Sequence, residues 1–287
     1  MIDGALIVQG GGTRGAFAAG ALDVLMEEGL YFSDVYGTSA GALCSANYLS
    51  GDRGRSHYIM TELMRDKRFV SVRNYLLTKN LFNFKYLFRV VPKKKSPFNE
   101  VAFRDNPIRF YSVCTCLETG EVAYIPKTDD MKRNYAAMAA SASLPFYAKP
   151  VTIDGKKYLD GGQVAPFPYH QALERGIEKI VIILTREKGF VQPELKESTV
   201  KKTMRKYGKH KAFAQTYIQG PAVFNADREE VEALEEQGRV FVIRPDIPPT
   251  VGVAESNKEK LDELYRQGRE ACMRRLAALR VYLGGHE

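Results

Sequence analysis

Short, continuously apolar runs alternate along the chain with longer stretches of helical spacing. Residues 4–9 read as a buried strand, because Ala5, Leu6, Ile7 and Val8 leave no polar face. Residues 16–28 put Phe17, Ala21 and Leu25 on one helical stripe and stop at Gly29. A second apolar run, Val35 and Tyr36, leads into a small-residue helix over 40–46. Two successive strand–loop–helix units predict a parallel sheet covered by helices. The later pattern predicts a helix over 52–67, paired strands at 108–116 and 121–126, and an alanine-rich helix over 130–142. Lys157-Tyr158-Leu159 reads as a strand end and residues 180–185 as a buried parallel strand. After a loop at 188–193 come a basic helical segment, a charged helix over 226–237, a strand over 240–244 and the rigid link Asp246-Ile247-Pro248-Pro249. An amphipathic helix over 256–283 closes the chain, with Leu261, Leu264, Tyr265, Cys272, Leu276 and Leu279 as its apolar stripe. The expected fold class is α/β: a mostly parallel central sheet flanked by helices, with a nucleophile elbow after an early strand. Residues 1–287 form a single domain in this reading, with accessory helices and the last strand in 186–287 and an excursion at 186–225.

Composition narrows the picture. The apolar share of 45% and charged share of 26% are those of an ordinary globule, so a packed core is expected rather than a disordered chain. Met1-Ile2-Asp3 lacks a basic leader, and no apolar run approaches the roughly 20 residues that span a bilayer. The expected location is the cytoplasm, with peripheral contact at the inner membrane surface. Cys44, Cys114, Cys116 and Cys272 read as buried thiols, and Cys114 and Cys116 share one face of a strand. Their spacing fits neither a C-x-x-C redox site nor a zinc site, and no metal is expected. The net charge is +8, with basic residues gathered at Lys93-Lys94-Lys95 and across Lys201, Lys202, Arg205, Lys206, Lys209 and Lys211. This is either a solvated face or attraction to an anionic membrane. No nucleic-acid motif accompanies the charge. The aromatic stretch 74–91 reads either as short helices packed on the sheet or as a lid or membrane-contacting flap.

The chemistry is concentrated in three glycine-rich sites. Gly37-Thr38-Ser39-Ala40-Gly41 matches G-x-S-x-G in a strand–turn–helix setting. A serine there sits on a strained turn at a helix N-terminus, where developing negative charge is favoured. Glycine at 37 and 41 has a steric reason, since side chains there would collide. Upstream, Gly10-Gly11-Gly12-Thr13-Arg14-Gly15 lies between the first strand and helix. It fits an oxyanion hole, a dinucleotide loop of the G-x-G-x-x-G type, or a plain tight turn. The dinucleotide reading wants an acidic residue at the end of the second strand. Asp34 precedes that strand in this reading, and the strand runs into Ser39 instead.

A base for Ser39 is less legible. His57, His170, His210 and His286 lie in no active-site signature, and His170 is expected at the start of a surface helix. Asp160-Gly161-Gly162 places a carboxylate in a glycine turn, which alone is an ordinary turn signal. Taken in order, the Gly10–Gly15 loop, the Ser39 pentapeptide, Ala140-Ser141-Ala142-Ser143-Leu144-Pro145-Phe146 with Pro150, and Asp160-Gly161-Gly162 resemble the patatin-like phospholipase family over residues 4–170. The resemblance implies a three-layer α/β/α fold, with residues 4–170 as catalytic core. It implies a Ser-Asp dyad without histidine, Ser39 as nucleophile and Asp160 as general base. Backbone N–H groups of Gly10, Gly11 and Gly12, with Arg14 nearby, would form the oxyanion hole, and Gly15, Gly37, Gly41, Gly161 and Gly162 would support the turns. The implied reaction is hydrolysis of a lipid carboxylic ester through an acyl-serine, without cofactor. Leu144, Phe146, Leu159 and Phe167 are the expected apolar walls. One departure is Val164-Ala165-Pro166, where relatives often carry Asn-x-Pro; Ala165 supplies no side-chain hydrogen bond. The rival functions are a regulatory or scaffold protein of the same fold and a nucleotide-binding protein using Gly10, Gly12 and Gly15.

Overall fold

Strands buried on both faces organise the molecule. The computed structural model describes residues 1–284. Among them, eight strands form one sheet: β1 (Ile2–Val8), β2 (Phe32–Thr38), β3 (Arg109–Cys116), β4 (Val122–Pro126), β5 (Val151–Ile153), β6 (Lys156–Asp160), β7 (Ile180–Ile183) and β8 (Val240–Ile243). Strands β3, β2, β1, β7 and β8 run parallel in that order; on the β3 side, β4 and β6 pair antiparallel with β3, and β5 pairs antiparallel with β6. In β1, Leu6 and Val8 join one apolar cluster while Ala5 and Ile7 join another on the opposite face. Both faces are therefore covered, which is why β7, β8 and the Ala5–Val8 part of β1 read as unbroken apolar runs.

The helices are α1 (Gly15–Glu27), α2 (Ala40–Ser50), α3 (Arg55–Thr61), α4 (Val72–Thr78), α5 (Phe84–Arg89), α6 (Val91–Lys94), α7 (Glu100–Asp105), α8 (Met131–Ser141), α9 (Tyr169–Glu174), α10 (Glu197–Tyr207), α11 (Lys211–Glu236) and α12 (Lys258–Tyr282). Helices α1, α2 and α12 pack on one face of the sheet, and α9 and α11 on the other, giving three layers.

Several elements differ from the sequence reading. Helix α1 is buried from Gly15 to Met26 on every side, not along one stripe, because α12 covers it. The two backbones nearly touch: a Cβ on Gly20 would lie 2.1 Å from the Tyr265 carbonyl, and one on Gly268 2.0 Å from that of Phe17. The helix expected over 52–67 is the shorter α3 followed by a turn at Leu63–Arg65. The helix expected from 226 begins at Lys211 and continues through Pro221. Strand β5, paired with β6, was not anticipated. Asp34 lies inside β2 rather than before it. There it accepts from Arg109 and Arg175, at the end of the strand away from Ser39. Residues 74–91 form α4, α5 and the start of α6, and α5 and α6 supply Tyr86, Leu87 and Val91 to a small core with Phe69. All four cysteines are buried and free, and Cys114 and Cys116 share one cluster.

Candidate active site

Strand register brings Ser39 and Asp160 together. Strand β4 holds one edge of β3 over Tyr111–Thr115. On the other edge, β2 pairs as far as Thr38↔Val113, and β6 takes over at Cys114↔Asp160. β2 runs parallel to β3 and β6 antiparallel, so their C-terminal ends meet head to head on that edge. Ser39 follows the last residue of β2, and Asp160 is the last residue of β6.

The end of α8 fixes both sides of this junction. The Ser39 N–H donates to Ser141 Oγ at 2.9 Å, and the Ser141 hydroxyl donates to the Val113 carbonyl at 2.6 Å. The Asp160 N–H donates to the Ser143 carbonyl at 3.0 Å. The serine-containing segment 140–146 thus ties the ends of β2 and β6 to β3 and α8, a role its sequence does not announce. Thr38 Oγ1 donates to the Ala165 carbonyl at 3.1 Å, so backbone supports the turn where Ala165 lacks a polar side chain.

Ser39 adopts φ 57° and ψ −124°, a conformation that L-residues avoid, and α2 starts immediately after it. The flanking glycines are sterically required. A Cβ on Gly37 would lie 2.6 Å from Ala42 Cα, and one on Gly41 2.2 Å from the Val8 carbonyl oxygen. Gly10 abuts the elbow, its absent Cβ 2.6 Å from Ser39 Cβ, and Gly15 opens α1 against Ala40. Gly161 packs against the Val113 carbonyl.

Asp160 is 2% exposed. Its Oδ1 accepts from the Gly162 N–H at 2.8 Å, and its Oδ2 is buried without a hydrogen-bond partner. Burial pushes the carboxyl up to about 6, against the opposing pull of the Ser39 hydroxyl and the Gly162 N–H. The Ser39 hydroxyl thus lies near the carboxylate, and no hydrogen bond of normal geometry joins the two side chains.

The glycine loop lies beside them. Among the described residues no group accepts from the N–H of Gly10, Gly11 or Gly12, nor from that of Ala40 at the start of α2. The loop is held by other atoms: Thr185 Oγ1 donates to the Gly10 carbonyl at 2.7 Å, and the Thr13 N–H donates to the Val253 carbonyl at 3.0 Å. Arg14 is half-buried, and its Nε has no partner. Burial, aided by nearby Arg186, lowers its guanidinium to about 10.

Two cavities meet at Ser39, and both also touch Gly12, Leu144 and Val253. The larger, about 260 Å³, is lined by Gly10, Gly11, Arg14, Asp160, Gln163 and Gln192, with Tyr217 and Phe224 of α11. The narrower, about 40 Å³, is lined by Leu43, Ile59, Met60, Met64, Phe69, Phe82 and Phe84. Of the expected apolar walls only Leu144 lines a cavity. Leu159 and Phe146 pack instead with Tyr207 and Phe213, and Phe167 packs against Phe224 of α11.

The sequence pattern of the patatin-like phospholipase family matches residues 6–173. The chain belongs to this family. A second pattern, a domain of unknown function (DUF6363), matches residues 210–284, where sequence analysis found no family motif. Among curated relatives of this patatin-like chain is the uncharacterized protein YjjU of Escherichia coli (strain K12), 29% identical over 188 residues that cover 63% of this chain and 51% of YjjU. The uncharacterized protein YqhO of Bacillus subtilis (strain 168) is 25% identical over 193 residues, covering 58% of this chain and 65% of YqhO. The chain thus spans about half of YjjU and under two thirds of YqhO. In fold it is similar to VipD from Legionella pneumophila, with a TM-score of 0.51 at 12% identity, covering 97% of this chain and 67% of VipD. The patatin-like, three-layer architecture expected from the motifs is the one found.

No histidine among the described residues lines either cavity. His170 opens α9 and pairs with Asp227 at 3.2 Å, His57 pairs with Asp262, and His210 precedes α11. His286 lies outside the described residues. The end of β2 carries Ser39 where a dinucleotide site would carry its ribose-binding acid.

Proposed function

We propose that the protein is a serine lipid acyl hydrolase that cleaves carboxylic esters of lipids or phospholipids through an acyl-serine intermediate. The observation that carries this reading is the unpartnered Oδ2 of a buried Asp160, beside a strained Ser39 and a loop of free N–H groups. In the proposed mechanism Ser39 Oγ attacks the ester carbonyl and passes its proton to Asp160 Oδ2. The N–H groups of Gly10, Gly11 and Gly12 receive the oxyanion, and the Ala40 N–H at the start of α2 adds to them. Protonated Asp160 then donates to the leaving alcohol, and water resolves the acyl-serine by the same steps.

The two cavities suggest how an ester sits. The narrow apolar channel suits an acyl chain, and the larger cavity, with Arg14, Gln163 and Gln192, suits the polar alcohol portion. The same reading takes an anionic membrane surface as the partner that presents substrate.

The test is fatty-acid release from phosphatidylglycerol, lysophospholipid and medium-chain p-nitrophenyl esters. Wild type is expected to hydrolyse at least one of these, and Ser39→Ala to fall at least about 1,000-fold. Absence of turnover on all of them would favour a non-catalytic protein of this fold. Thermal stabilisation by NAD or ATP would favour the nucleotide reading.

A further inference from the structure

Helix α4 is out of keeping with the rest of the molecule. None of its residues is buried, and Val72, Leu76 and Leu77 are 70%, 63% and 73% exposed. Val72 and Leu76 are one helical turn apart, and Leu77 adds a third exposed apolar side chain beside Leu76. The neighbouring Tyr147 is 52% exposed, and its ring lies 6.4 Å from that of Tyr75 on α4. Large apolar side chains gathered this way on one surface mark an interaction site.

The charge around this patch has one sign. Between Asp66 and Glu100 the chain carries nine Lys or Arg residues and no Asp or Glu. Arg68 and Lys95 pair with Asp66; the other seven have no acidic partner among the described residues. Arg73 and Lys79 belong to α4 and its C-terminal end. Folding adds cations from elsewhere. Lys149 is tied to the end of α4 by its N–H, which donates to Asn80 Oδ1 at 2.8 Å. Lys202 and Lys206 of α10 lie over the Phe146 ring, whose carbonyl accepts from Tyr75 Oη at 3.1 Å.

The patch also borders the channel to Ser39. Val70, just before α4, forms a β-bridge with Phe82, and Phe82 lines that channel with Phe69 and Phe84.

We propose that α4 and Tyr147 dock the protein on an anionic lipid bilayer. Leu76 and Leu77 enter the acyl boundary, and Arg73, Lys79, Lys149, Lys202 and Lys206 contact the headgroups. The inference rests on the lipid reading above and names the surface that reading requires. Exposed leucines favour a bilayer over a nucleic acid, whose phosphates give them nothing to bury against. The flanking lysines favour an anionic surface over a zwitterionic one.

The test separates docking from catalysis. Full-length Ser39→Ala protein, which cannot alter the lipid, is floated with vesicles of phosphatidylcholine alone or doped with phosphatidylglycerol. It is expected to float with the anionic vesicles and to be released by salt. Adding Leu76→Asn and Leu77→Asn should lower partitioning about tenfold or more. Each of Lys202→Gln and Lys206→Gln should lower it about fivefold. With Ser39 intact, the Leu76→Asn/Leu77→Asn variant should hydrolyse a soluble p-nitrophenyl ester at the wild-type rate and vesicle lipid more slowly. Failure of the Ser39→Ala protein to float, or unchanged flotation after the leucine substitutions, overturns the docking surface whatever the ester assay shows. So does a dimer that the same substitutions dissolve, or binding to polyanions that the leucine substitutions leave untouched. Loss of ester turnover in wild type with flotation intact overturns the hydrolase reading instead.

Discussion

Asp160→Asn is expected to remove ester hydrolysis and to make the fold more stable. The amide keeps an oxygen for the Gly162 N–H but cannot take a proton from Ser39. Loss of the general base should cost about 1,000- to 10,000-fold in kcat/KM. Ser39→Ala should cost at least as much, and the double variant no more than Ser39→Ala alone, because the two groups act as a unit. The stability effect follows from the raised pKa. Burial holds the folded-state value near 6, above its unfolded value. Stability from this group is therefore fully present below the unfolded pKa and is lost as pH rises through about 6. At about pH 8 the ionised, buried carboxylate costs on the order of 3 kcal/mol, which the neutral amide does not. Thermal melts should show Asp160→Asn above wild type at about pH 8, with the gap narrowing as pH falls through about 6 and closing only near about pH 4. Wild-type kcat/KM should rise through about pH 6 as the base ionises. A variant that is less stable at high pH, or a flat rate profile across that range, would contradict the assignment.

Gly41→Ala is expected to damage the site as much as it damages the fold. Its methyl would sit 2.2 Å from the Val8 carbonyl oxygen and 2.9 Å from that of Gln9. Both are backbone atoms at the end of β1, where neither can step aside. The first turn of α2 would have to lift off the sheet and carry Ser39 with it. A loss of about 3 kcal/mol is expected in denaturant melts, at the upper end for an overpacked site. Gly252→Ala is the control. Its Cβ meets open space and its φ is ordinary, so a change within about 0.5 kcal/mol is expected. Equal stability of the two variants would mean that the elbow is looser than its geometry implies.

How far the chain could be read in advance depended on how local each signal was. The order strand, glycine loop, helix, strand, elbow was legible because buried parallel strands are apolar runs and tight turns need glycine. Ser39 and the glycine loop belong to that local order. The junction of β2 and β6 does not, since it depends on β3 changing partner between Val113 and Cys114. Only the family resemblance pointed to Asp160. The sequence reading begins the charged helix at 226, whereas α11 starts at Lys211 and contains Gly220-Pro221, a pair that locally favours a break. The structure keeps the helix running there, with Gly220 leaving room for Gln163, whose Oε1 would lie 2.6 Å from a Cβ. The apolar channel has no local signal, because Leu43, Ile59, Met60, Met64, Phe69, Phe82 and Phe84 reach it from separate elements and only the last two fall in the aromatic stretch 74–91. The tie between Thr13 and Val253 joins residues far apart in the chain, and no local pattern announces it.

The central claim is that Ser39 is a nucleophile activated by Asp160. Its most direct test is intact-mass and peptide analysis after treatment with a fluorophosphonate. The account predicts one adduct on Ser39 in wild type, none in Ser39→Ala, and strongly slowed labelling in Asp160→Asn. An unlabelled wild type, an adduct on another residue, or labelling of Asp160→Asn at the wild-type rate would contradict it.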